Sequence, residues 1–440
     1  MPTQLLLRGG RLVDPAEGLD AVADVLVGAD GAIAAVGDPA AEAGALEVPK
    51  GATVIECAEK VVLPGPVDVH VHLREPGRED EETVATGTRA AARGGFTAVC
   101  AMPNTDPAID DGAAVRALLE SAERDAAVRV HPVGALTRRR AGEALAEIGE
   151  MAATGAVAFT DDGSWLASSR MMRMAMDYTK RFGVPVLSHA EDPLARGGAV
   201  NEGEVSTLLG LPGWPSAAEE TAVARDIRLC ELTGCRLHVQ HLSTAGSLEL
   251  VRRAKAAGMP VTCEVTPHHL FLDETALLQR RYDTALKMNP PLRTSADREA
   301  LVAGLTDGTV DCVATDHAPH AAHEKEMEFE LAPYGVTGLE TALPLLATRL
   351  VAPGTLSWAD VARLLCHGPR SALGLPEVRL AAGFAADLTV FDPEARVEVG
   401  AGGFESRSAN SPWTGERLLG RATEVLVGGK PVVRSGKVVA

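Results

Sequence analysis

The amino-acid sequence predicts an α/β fold: a (β/α)8 TIM barrel with a small β-sandwich formed from both chain ends. Eight apolar, strand-like runs alternate with helical stretches rich in Ala, Leu, Glu and Arg. This alternation is typical of a parallel sheet covered by helices on both faces. Histidine and aspartate residues cluster at the carboxyl ends of the runs, where barrel active sites are built. Short strand-like segments and turns occupy both ends of the chain.

The eight runs lie between residue 61 and about residue 320, and eight strands over roughly 250 residues is the size of a closed barrel. They are residues 61–72, 96–102, 128–136, 156–161, 184–189, 237–241, 260–266 and 310–315. A doubly wound open sheet is the alternative, but it does not predict histidine and aspartate at the end of so many strands.

Three segments are predicted on this basis. Residues 1–60 form the N-terminal part of the sandwich, 61–374 the barrel with a helical pair at its end, and 375–440 the C-terminal part of the sandwich. Gly428-Gly429 between two apolar runs indicates a hairpin. Each terminal unit is too small to bury a core alone, so we expect the two to pack together.

Composition excludes several classes of partner. The chain has 440 residues, 42 basic against 60 acidic, for a net charge of −18, which argues against nucleic acid or an anionic membrane surface as a main partner. No uncharged apolar stretch of about 18 residues occurs, and we expect no signal peptide. Seven scattered cysteines without a C-x-x-C motif predict reduced thiols in the cytoplasm.

The first run contains the strongest single motif. Apolar and polar residues alternate, so Asp68, His70 and His72 share one face of a strand. Two histidines at i and i+2 can converge on one metal ion. The alternative is a surface strand with solvated histidines, but the apolar lead-in at 61–63 argues against it.

Later strand ends supply further ligands of the same kind. The full candidate set is His70, His72, Asp161 or Asp162, His189, His241 and Asp316. Two divalent ions about 3.5–4 Å apart, bridged by one carboxylate, would hold a bridging hydroxide as nucleophile. Asp316 can ligate one ion and also take a proton. Imidazole and carboxylate ligands without thiolate suit zinc, with manganese or cobalt as alternatives.

Polar residues beside these ligands are candidate substrate contacts. The guanidinium of Arg74 suits a carboxylate; its alternative is a salt bridge to Glu75 or Glu79. Asn104 and Asn289 can add neutral hydrogen bonds, although each could equally cap a turn.

The remaining histidines are assigned structural roles. His131 and His238 lie inside apolar runs and are predicted to be core residues. His268 and His269 are predicted to support the ligands from behind, and His367 lies outside the barrel.

The sequence resembles the type I dihydroorotases of the amidohydrolase superfamily over nearly its whole length. The resemblance is carried by His70-Val-His-Leu-Arg-Glu-Pro-Gly77, Met102-Pro-Asn-Thr105, Ala158-Phe-Thr-Asp-Asp-Gly163, Lys287-Met-Asn-Pro-Pro-Leu-Arg293 and Ala314-Thr-Asp-His-Ala-Pro-His320. It implies reversible cyclisation of N-carbamoyl-L-aspartate to L-dihydroorotate in de novo pyrimidine (UMP) synthesis. It also implies two zinc ions per subunit.

The resemblance assigns roles to individual residues. It implies that His70 and His72 hold one metal and His189 and His241 the other, that Asp162 bridges them, and that Asp316 is both ligand and general acid/base. The implied substrate contacts are His72, Arg74, Asn104, Asn289, His320, Tyr334 and Gly335. Residues 321–334 would form a mobile active-site loop.

Two alternatives remain at this point. One is a cyclic amidase of the hydantoinase or allantoinase type, but such relatives typically bridge their metals with a carboxylated lysine, and no lysine occurs between Lys60 and Lys180. Allantoinase-like sequences also carry Asn where this chain has Arg74. The other is an inactive scaffold for aspartate transcarbamoylase, which typically loses ligands that this chain retains. A homodimer, and an enzyme that needs that transcarbamoylase to order its loop, stay open.

Overall fold

A computed structural model describes residues 4–38, 40 and 45–440. Residues 1–3, on which the expectation of no signal peptide partly rests, lie outside the described residues. Within the described ranges, no helix is both long and apolar enough to cross a bilayer.

The strands are β1 (Leu5–Asp14), β2 (Leu19–Val27), β3 (Ile33–Val36), β4 (Thr53–Glu56), β5 (Val61–Pro64), β6 (Val67–Val71), β7 (Ala98–Ala101), β8 (Arg129–Gly134), β9 (Ala158–Phe159), β10 (Val186–Ser188), β11 (Val200–Asn201), β12 (Gly213–Trp214), β13 (Leu237–Val239), β14 (Val261–Val265), β15 (Cys312–Val313), β16 (Leu388–Glu398), β17 (Arg417–Val427), β18 (Lys430–Arg434) and β19 (Lys437–Val438). The α-helices are α1 (Val84–Gly94), α2 (Gly112–Asp125), α3 (Ile148–Thr154), α4 (Ser169–Thr179), α5 (Glu204–Leu209), α6 (Ser216–Thr233), α7 (Ala245–Ala256), α8 (Pro267–Phe271), α9 (Thr275–Arg280), α10 (Ser295–Thr306), α11 (Ala322–Lys325), α12 (Ala342–Leu346), α13 (Trp358–Ala362) and α14 (Gly368–Leu373). Short 3₁₀ turns cover Arg138–Arg140, Lys180–Phe182, Pro193–Ala195 and Thr284–Leu286, and π-helical turns cover Ala347–Val351 and Arg363–His367.

The eight central strands form the predicted barrel. Their order is β6-β7-β8-β9-β10-β13-β14-β15, all parallel and in chain order. A bridge between Val71 and His317 joins the two edge strands, and the His72 amide donates to the His317 carbonyl at 2.9 Å. This closure excludes the doubly wound open sheet and confirms the fold class.

Helix starts follow from local sequence. Thr83, Asp111, Ser168, Thr244 and Thr294 each precede a helix, and each side chain accepts a hydrogen bond from an amide of the first turn. These side chains satisfy amides that otherwise have no partner in the helix.

The prediction of one strand over residues 61–72 is wrong. Strand β5 pairs with β1 and β16 in the terminal sheet, and the barrel strand begins only at Val67. Gly65 lies at the break, where a Cβ atom would collide with the Thr97 side chain and approach Asp387 within 3.0 Å. The apolar run therefore serves two sheets in succession.

Both chain ends build the second sheet, as predicted. Its order is β19-β18-β17-β16-β5-β1-β2-β3, with β4 beside β1. One hydrophobic cluster unites Leu5 and Leu7 with Leu388 and Val390 from the other end of the chain. The exact domain boundaries stay a prediction.

Candidate active site

The carboxyl ends of the barrel strands bring the predicted metal ligands together. His70 lies in β6 and His72 just after it, while Asp162, His189 and His241 follow β9, β10 and β13. Asp316 follows β15. All six side chains are buried, so this is an interior cluster of imidazoles and carboxylates rather than a solvated surface.

Asp162 lies between two pairs of histidines. Its Oδ1 atom is 3.4 Å from His70 Nε2 and 3.2 Å from His189 Nδ1, and its Oδ2 atom is 3.4 Å from His72 Nε2. On the far side, His189 Nδ1 and His241 Nε2 are 2.8 Å apart. One carboxylate therefore faces both pairs.

The donor set fits divalent metal ions. Two atoms that bind one zinc ion at 2.0–2.1 Å lie roughly 3.3 Å apart in a tetrahedral site, close to the separations around Asp162. The Nε2 atom of His70 is buried and has no hydrogen-bond partner in the described structure. Its other nitrogen is taken by Glu264 at 2.6 Å, so Nε2 is oriented towards the cluster as a ligand atom must be.

The two adjacent aspartates have different partners. Asp161 accepts hydrogen bonds from the amides of Leu136 and Thr137 and from the Thr137 hydroxyl. It thereby ties the loop after β8 to the loop after β9, while Asp162 faces the histidines. The geometry therefore favours Asp162 as the ligand.

The charges around the cluster are strongly coupled. Burial would raise the pKa of Asp162, but His70 and hydrogen bonds from the neighbouring imidazoles hold it well below the ordinary value. Asp316 behaves in the same way, because His70 and His72 lower its pKa against the effect of burial. Both carboxylates are therefore ionised, as ligands of a cation must be.

A cavity of about 290 Å³ opens beside the cluster. It is lined by every predicted site residue except His70, which lies behind the wall: His72, Arg74, Asn104, Asp162, His189, His241, Asn289, Asp316, His320, Tyr334 and Gly335. Its lining also includes Arg74, whose Nη2 atom lies 3.4 Å from His320 Nε2. The histidine–aspartate cluster is called the metal end of the lining, and the Arg74–His320 pair its guanidinium end.

Comparisons with known proteins agree with this geometry. A family model described as "Dihydro-orotase-like" matches residues 59–247. A "Dihydroorotase" of Anaeromyxobacter sp. (strain K) is 48% identical over 438 residues, 99% of this chain and 99% of that protein. One from Pelotomaculum thermopropionicum is 48% identical over 98% of this chain and 99% of its own. The solved L-hydantoinase (dihydropyrimidinase) from Arthrobacter aurescens has a TM-score of 0.87 at 26% identity, covering 100% of this chain and 98% of that one.

The chain belongs to the dihydroorotase family. Identity near one half over nearly the full length of both chains carries this conclusion. The structural likeness to a hydantoinase shows the shared fold at lower identity. The ligand and substrate roles of individual residues stay a prediction.

Arg74 in this dihydroorotase-family chain pairs with neither of the two acids considered from the sequence. Its Nε atom lies 3.1 Å from Glu81 Oε2 and donates to the Pro319 carbonyl at 3.2 Å. Arg74, His241 and Asp316 all have positive φ angles, which non-glycine residues adopt only at a cost that surrounding contacts offset.

Two carboxylates that support the cluster, one buried and one partly exposed, were missed from the sequence. Glu264 lies 2.6 Å from His70 Nδ1 and 3.0 Å from His238 Nε2. Glu191 lies 3.2 Å from His189 Nε2 and accepts from Asn289 at 2.9 Å. Glu264 is the one charged residue within the apolar run 260–266. This position could have indicated its role from the sequence, because a buried charge needs charged or hydrogen-bonding partners.

The histidines assigned to structure have mixed outcomes. His238 is a satisfied core residue, bonded to Thr262 and Glu264, and His367 bonds Asp14 far from the site. The predicted supporting role of His269 is wrong, because its two nitrogens meet Thr266 and the Pro290 carbonyl instead.

The loop predicted to be mobile, residues 321–334, is tied by hydrogen bonds from one lysine inside it and one outside it. Lys325 donates to the carbonyls of Pro333 and Gly335, and Lys287 donates to those of Glu330 and Ala332. Gly335 has a φ of 130°, and a Cβ atom there would lie 2.6 Å from Ala318. Glycine therefore lets the main chain approach the pocket wall closely.

Proposed function

We propose that this chain is a zinc-dependent dihydroorotase that holds two ions and interconverts N-carbamoyl-L-aspartate and L-dihydroorotate in de novo pyrimidine synthesis. One observation carries the proposal: Asp162 lies between two histidine pairs in a cavity whose lining also presents Arg74. A cyclic amide that bears a carboxylate matches both ends of this cavity.

The metal-binding roles follow from the donor atoms. His70 and His72 would hold one ion, His189 and His241 the other, and Asp162 both. Asp316 would complete the first site, since its Oδ1 atom lies 3.0 Å from His72 Nε2. When bound, the metal supplies Lewis-acid chemistry: it lowers the pKa of a water to about 7 and polarises a carbonyl.

The guanidinium end of the cavity orients the substrate. Arg74, Asn104 and His320 would bind the substrate carboxylate, since a guanidinium provides paired donors for that group. Asn104 Oδ1 lies 2.7 Å from His72 Nδ1, so it connects the two ends. Asn289, Tyr334 and Gly335 would contact the ring, and His72 lines the same wall.

Asp316 moves the proton in this proposal. In the hydrolytic direction its ionised carboxylate accepts a proton from the attacking water as the carbon–oxygen bond forms. It returns that proton to the ring nitrogen as the carbon–nitrogen bond breaks. In the cyclising direction the same carboxylate takes the proton from the carbamoyl nitrogen and gives it to the departing water.

A hydantoinase or allantoinase activity is the second candidate, supported by the fold shared with the Arthrobacter aurescens hydantoinase. Two observations weigh against it. The strand that would carry a carboxylated lysine, Ala158–Phe159, contains no lysine. A neutral ring would also leave the guanidinium of Arg74 in the cavity without a partner. A panel of dihydroorotate, hydantoin, dihydrouracil and allantoin separates the candidates, because preference for a neutral ring contradicts the role given to Arg74.

The partners of the chain belong to the same proposal. The ties from Lys287 and Lys325 to residues 330–335 favour activity without aspartate transcarbamoylase, and addition of that purified protein should leave the rate unchanged. A rate increase would show that the loop depends on the partner.

We also predict a homodimer, which sedimentation analysis can test. Seven free cysteines support the cytoplasm as the location.

The decisive experiment measures conversion of N-carbamoyl-L-aspartate to dihydroorotate by purified protein loaded with zinc, with a chelated sample alongside. We expect turnover that chelation abolishes and zinc restores, with two zinc ions per chain by elemental analysis. Equal turnover in the chelated, metal-free sample would contradict the metal role. No turnover of either reactant by loaded protein would contradict the substrate.

A further inference from the structure

Glu81 is a fully buried carboxylate that contacts both ionisable groups at the guanidinium end of the cavity. Its side chain is 1% exposed. Its Oε2 atom lies 3.1 Å from Arg74 Nε, and its Oε1 atom lies 2.7 Å from His320 Nδ1. Neither oxygen lines the cavity itself, so Glu81 stands behind the two residues that face it.

The contacts of Glu81 select which atoms of those residues remain for a ligand. Arg74 Nε donates to the Pro319 carbonyl and lies 3.1 Å from Glu81 Oε2 as an ion pair without hydrogen-bond geometry, which leaves its terminal amino groups on the cavity side. His320 uses Nδ1 towards Glu81, so its Nε2 atom faces Tyr334 and Arg74. Both groups are thereby held in one orientation before any substrate arrives.

The burial of the Glu81 carboxylate calls for a physical explanation. Burial of a carboxylate carries a large desolvation cost, which pairing only partly offsets. Arg78 adds a third partner, with Nη2 2.8 Å from Glu81 Oε1, and the Ser408 hydroxyl donates to the Glu81 carbonyl at 2.7 Å. The position of Glu81 is thus fixed from two sides, by its own loop and by the C-terminal part of the chain.

We propose that Glu81 is a positioning residue that pre-orients Arg74 and His320 to receive the carboxylate of the substrate. This inference rests on the proposed function, since it takes the substrate to be a carboxylate. A positioning role of this kind acts on ground state and transition state alike. It therefore predicts a raised KM with little change in kcat.

The test compares Glu81→Gln with Glu82→Gln. Both residues are fully buried neighbours, but Glu82 contacts His317, Ser406 and Arg407, none of which lines the cavity. We expect Glu81→Gln to raise the KM for dihydroorotate on the order of tenfold to a hundredfold, because a hydrogen bond to a charged group is lost. Glu82→Gln should leave KM unchanged, whatever it does to thermal stability.

Two further readouts separate positioning from general support. Dihydrouracil is dihydroorotate without the carboxylate, so its hydrolysis rate should be the same in Glu81→Gln and the unaltered protein. In a double-mutant cycle, Glu81→Gln should cost clearly less in an Arg74→Ala background than alone, because one of its two targets is gone. Equal losses on both substrates, or strictly additive effects, would overturn the proposal.

The experiment also separates this inference from the proposed function. If the unaltered, zinc-loaded protein does not turn over dihydroorotate, the proposed function fails. Calorimetric binding of dihydroorotate then still reports whether Glu81→Gln weakens affinity. If Glu81→Gln does not fold, Glu81→Asp keeps the charge but shortens the side chain by one methylene. A normal KM in Glu81→Asp would contradict the need for this geometry.

Discussion

The two ends of the cavity are built in different ways. The metal end consists of His70, His72, Asp162, His189, His241 and Asp316, all at or just beyond the ends of barrel strands. The guanidinium end, which would hold the substrate carboxylate and is called the carboxylate end below, consists of Arg74 and Asn104, just beyond β6 and β7, and of His320, Tyr334 and Gly335 in the connection after β15. At the first end, the His72 amide donates to the His317 carbonyl across the barrel closure. The second depends on side-chain contacts from Glu81, Lys325 and Asn410, so a single substitution should affect the two ends differently.

The largest effect should come from Asp316 at the metal end. Replacement of Asp316 by Ala removes both a proposed ligand and the proton carrier, and we expect kcat to fall by roughly a thousandfold or more. The fold should remain, because the barrel closes through the main chain of His317 and Val71. Circular dichroism checks the fold and the dihydroorotate assay the rate; near-normal activity in a folded variant would refute the mechanism.

The neighbouring aspartates sharpen the comparison within the metal end. Asp162→Asn should lose bound zinc, because an amide is a weaker ligand than a carboxylate and this one faces both histidine pairs. Asp161→Asn is the matched control. It should keep the metal but lower the free energy of unfolding by about 1–3 kcal/mol, because its partners are Leu136 and Thr137.

Elemental analysis of bound zinc and denaturant titration of the two variants decide which aspartate binds the metal and which stabilises the fold. If Asp161→Asn loses the metal and Asp162→Asn retains it, the two assignments are reversed.

The same contrast explains what could be predicted from the sequence. Strand periodicity places His70 and His72 on one face, and eight apolar runs imply a barrel whose carboxyl ends meet. These two facts alone predict that the candidate metal ligands lie close together. The choice between Asp161 and Asp162 did not, because it depends on where Thr137 lies, and only the folded loops bring Thr137 to Asp161.

The supports of the carboxylate end could not be predicted. Asn410 lies 90 residues beyond His320 in the sequence, and no local pattern connects such distant segments.

Asn410 offers a test of the carboxylate end that leaves the metal end untouched. Its Nδ2 atom donates to the carbonyls of Ala318 and Gly335, both at 3.1 Å, and its Oδ1 atom accepts from the His320 amide. Asn410→Ala should raise the KM for dihydroorotate about tenfold with zinc content unchanged, because the main chain on both sides of the pocket loses its tie.

Asn201→Ala is the control for Asn410→Ala. Asn201 makes comparable side-chain hydrogen bonds, but its partners are Glu274 and Arg293, and none of these three residues lines the cavity. A comparable rise in KM in this variant would show that the effect is general loosening rather than loss of the tie at Gly335.

The smallest effect should come from Glu340, which holds the segment leading to Asn410. Its Oε1 atom accepts from the amides of Glu405 and Ser406, and its other oxygen lies 3.1 Å from Arg93 Nε. Burial raises the pKa of Glu340 to about 7, against the opposing effect of Arg93. The folded protein therefore binds a proton between pH 4.5 and 7 that the unfolded chain releases, so this group's contribution to stability declines as pH rises through that window.

Glu340→Gln removes this dependence while keeping an oxygen for both amides. At pH 5 the variant and the unaltered protein should be about equally stable. At pH 8 the variant should be more stable by about 1–3 kcal/mol, with unchanged kcat and KM. Glu405→Gln, which loses a partly exposed pair with Arg89 and only a minor contribution to the raised pKa of Glu340, should show a much smaller trend. If instead Glu340→Gln is less stable at pH 8 than at pH 5 relative to the unaltered protein, the ionised Glu340–Arg93 pair stabilises the segment. The carboxylate end would then depend on a charge at its base as well as on Glu81.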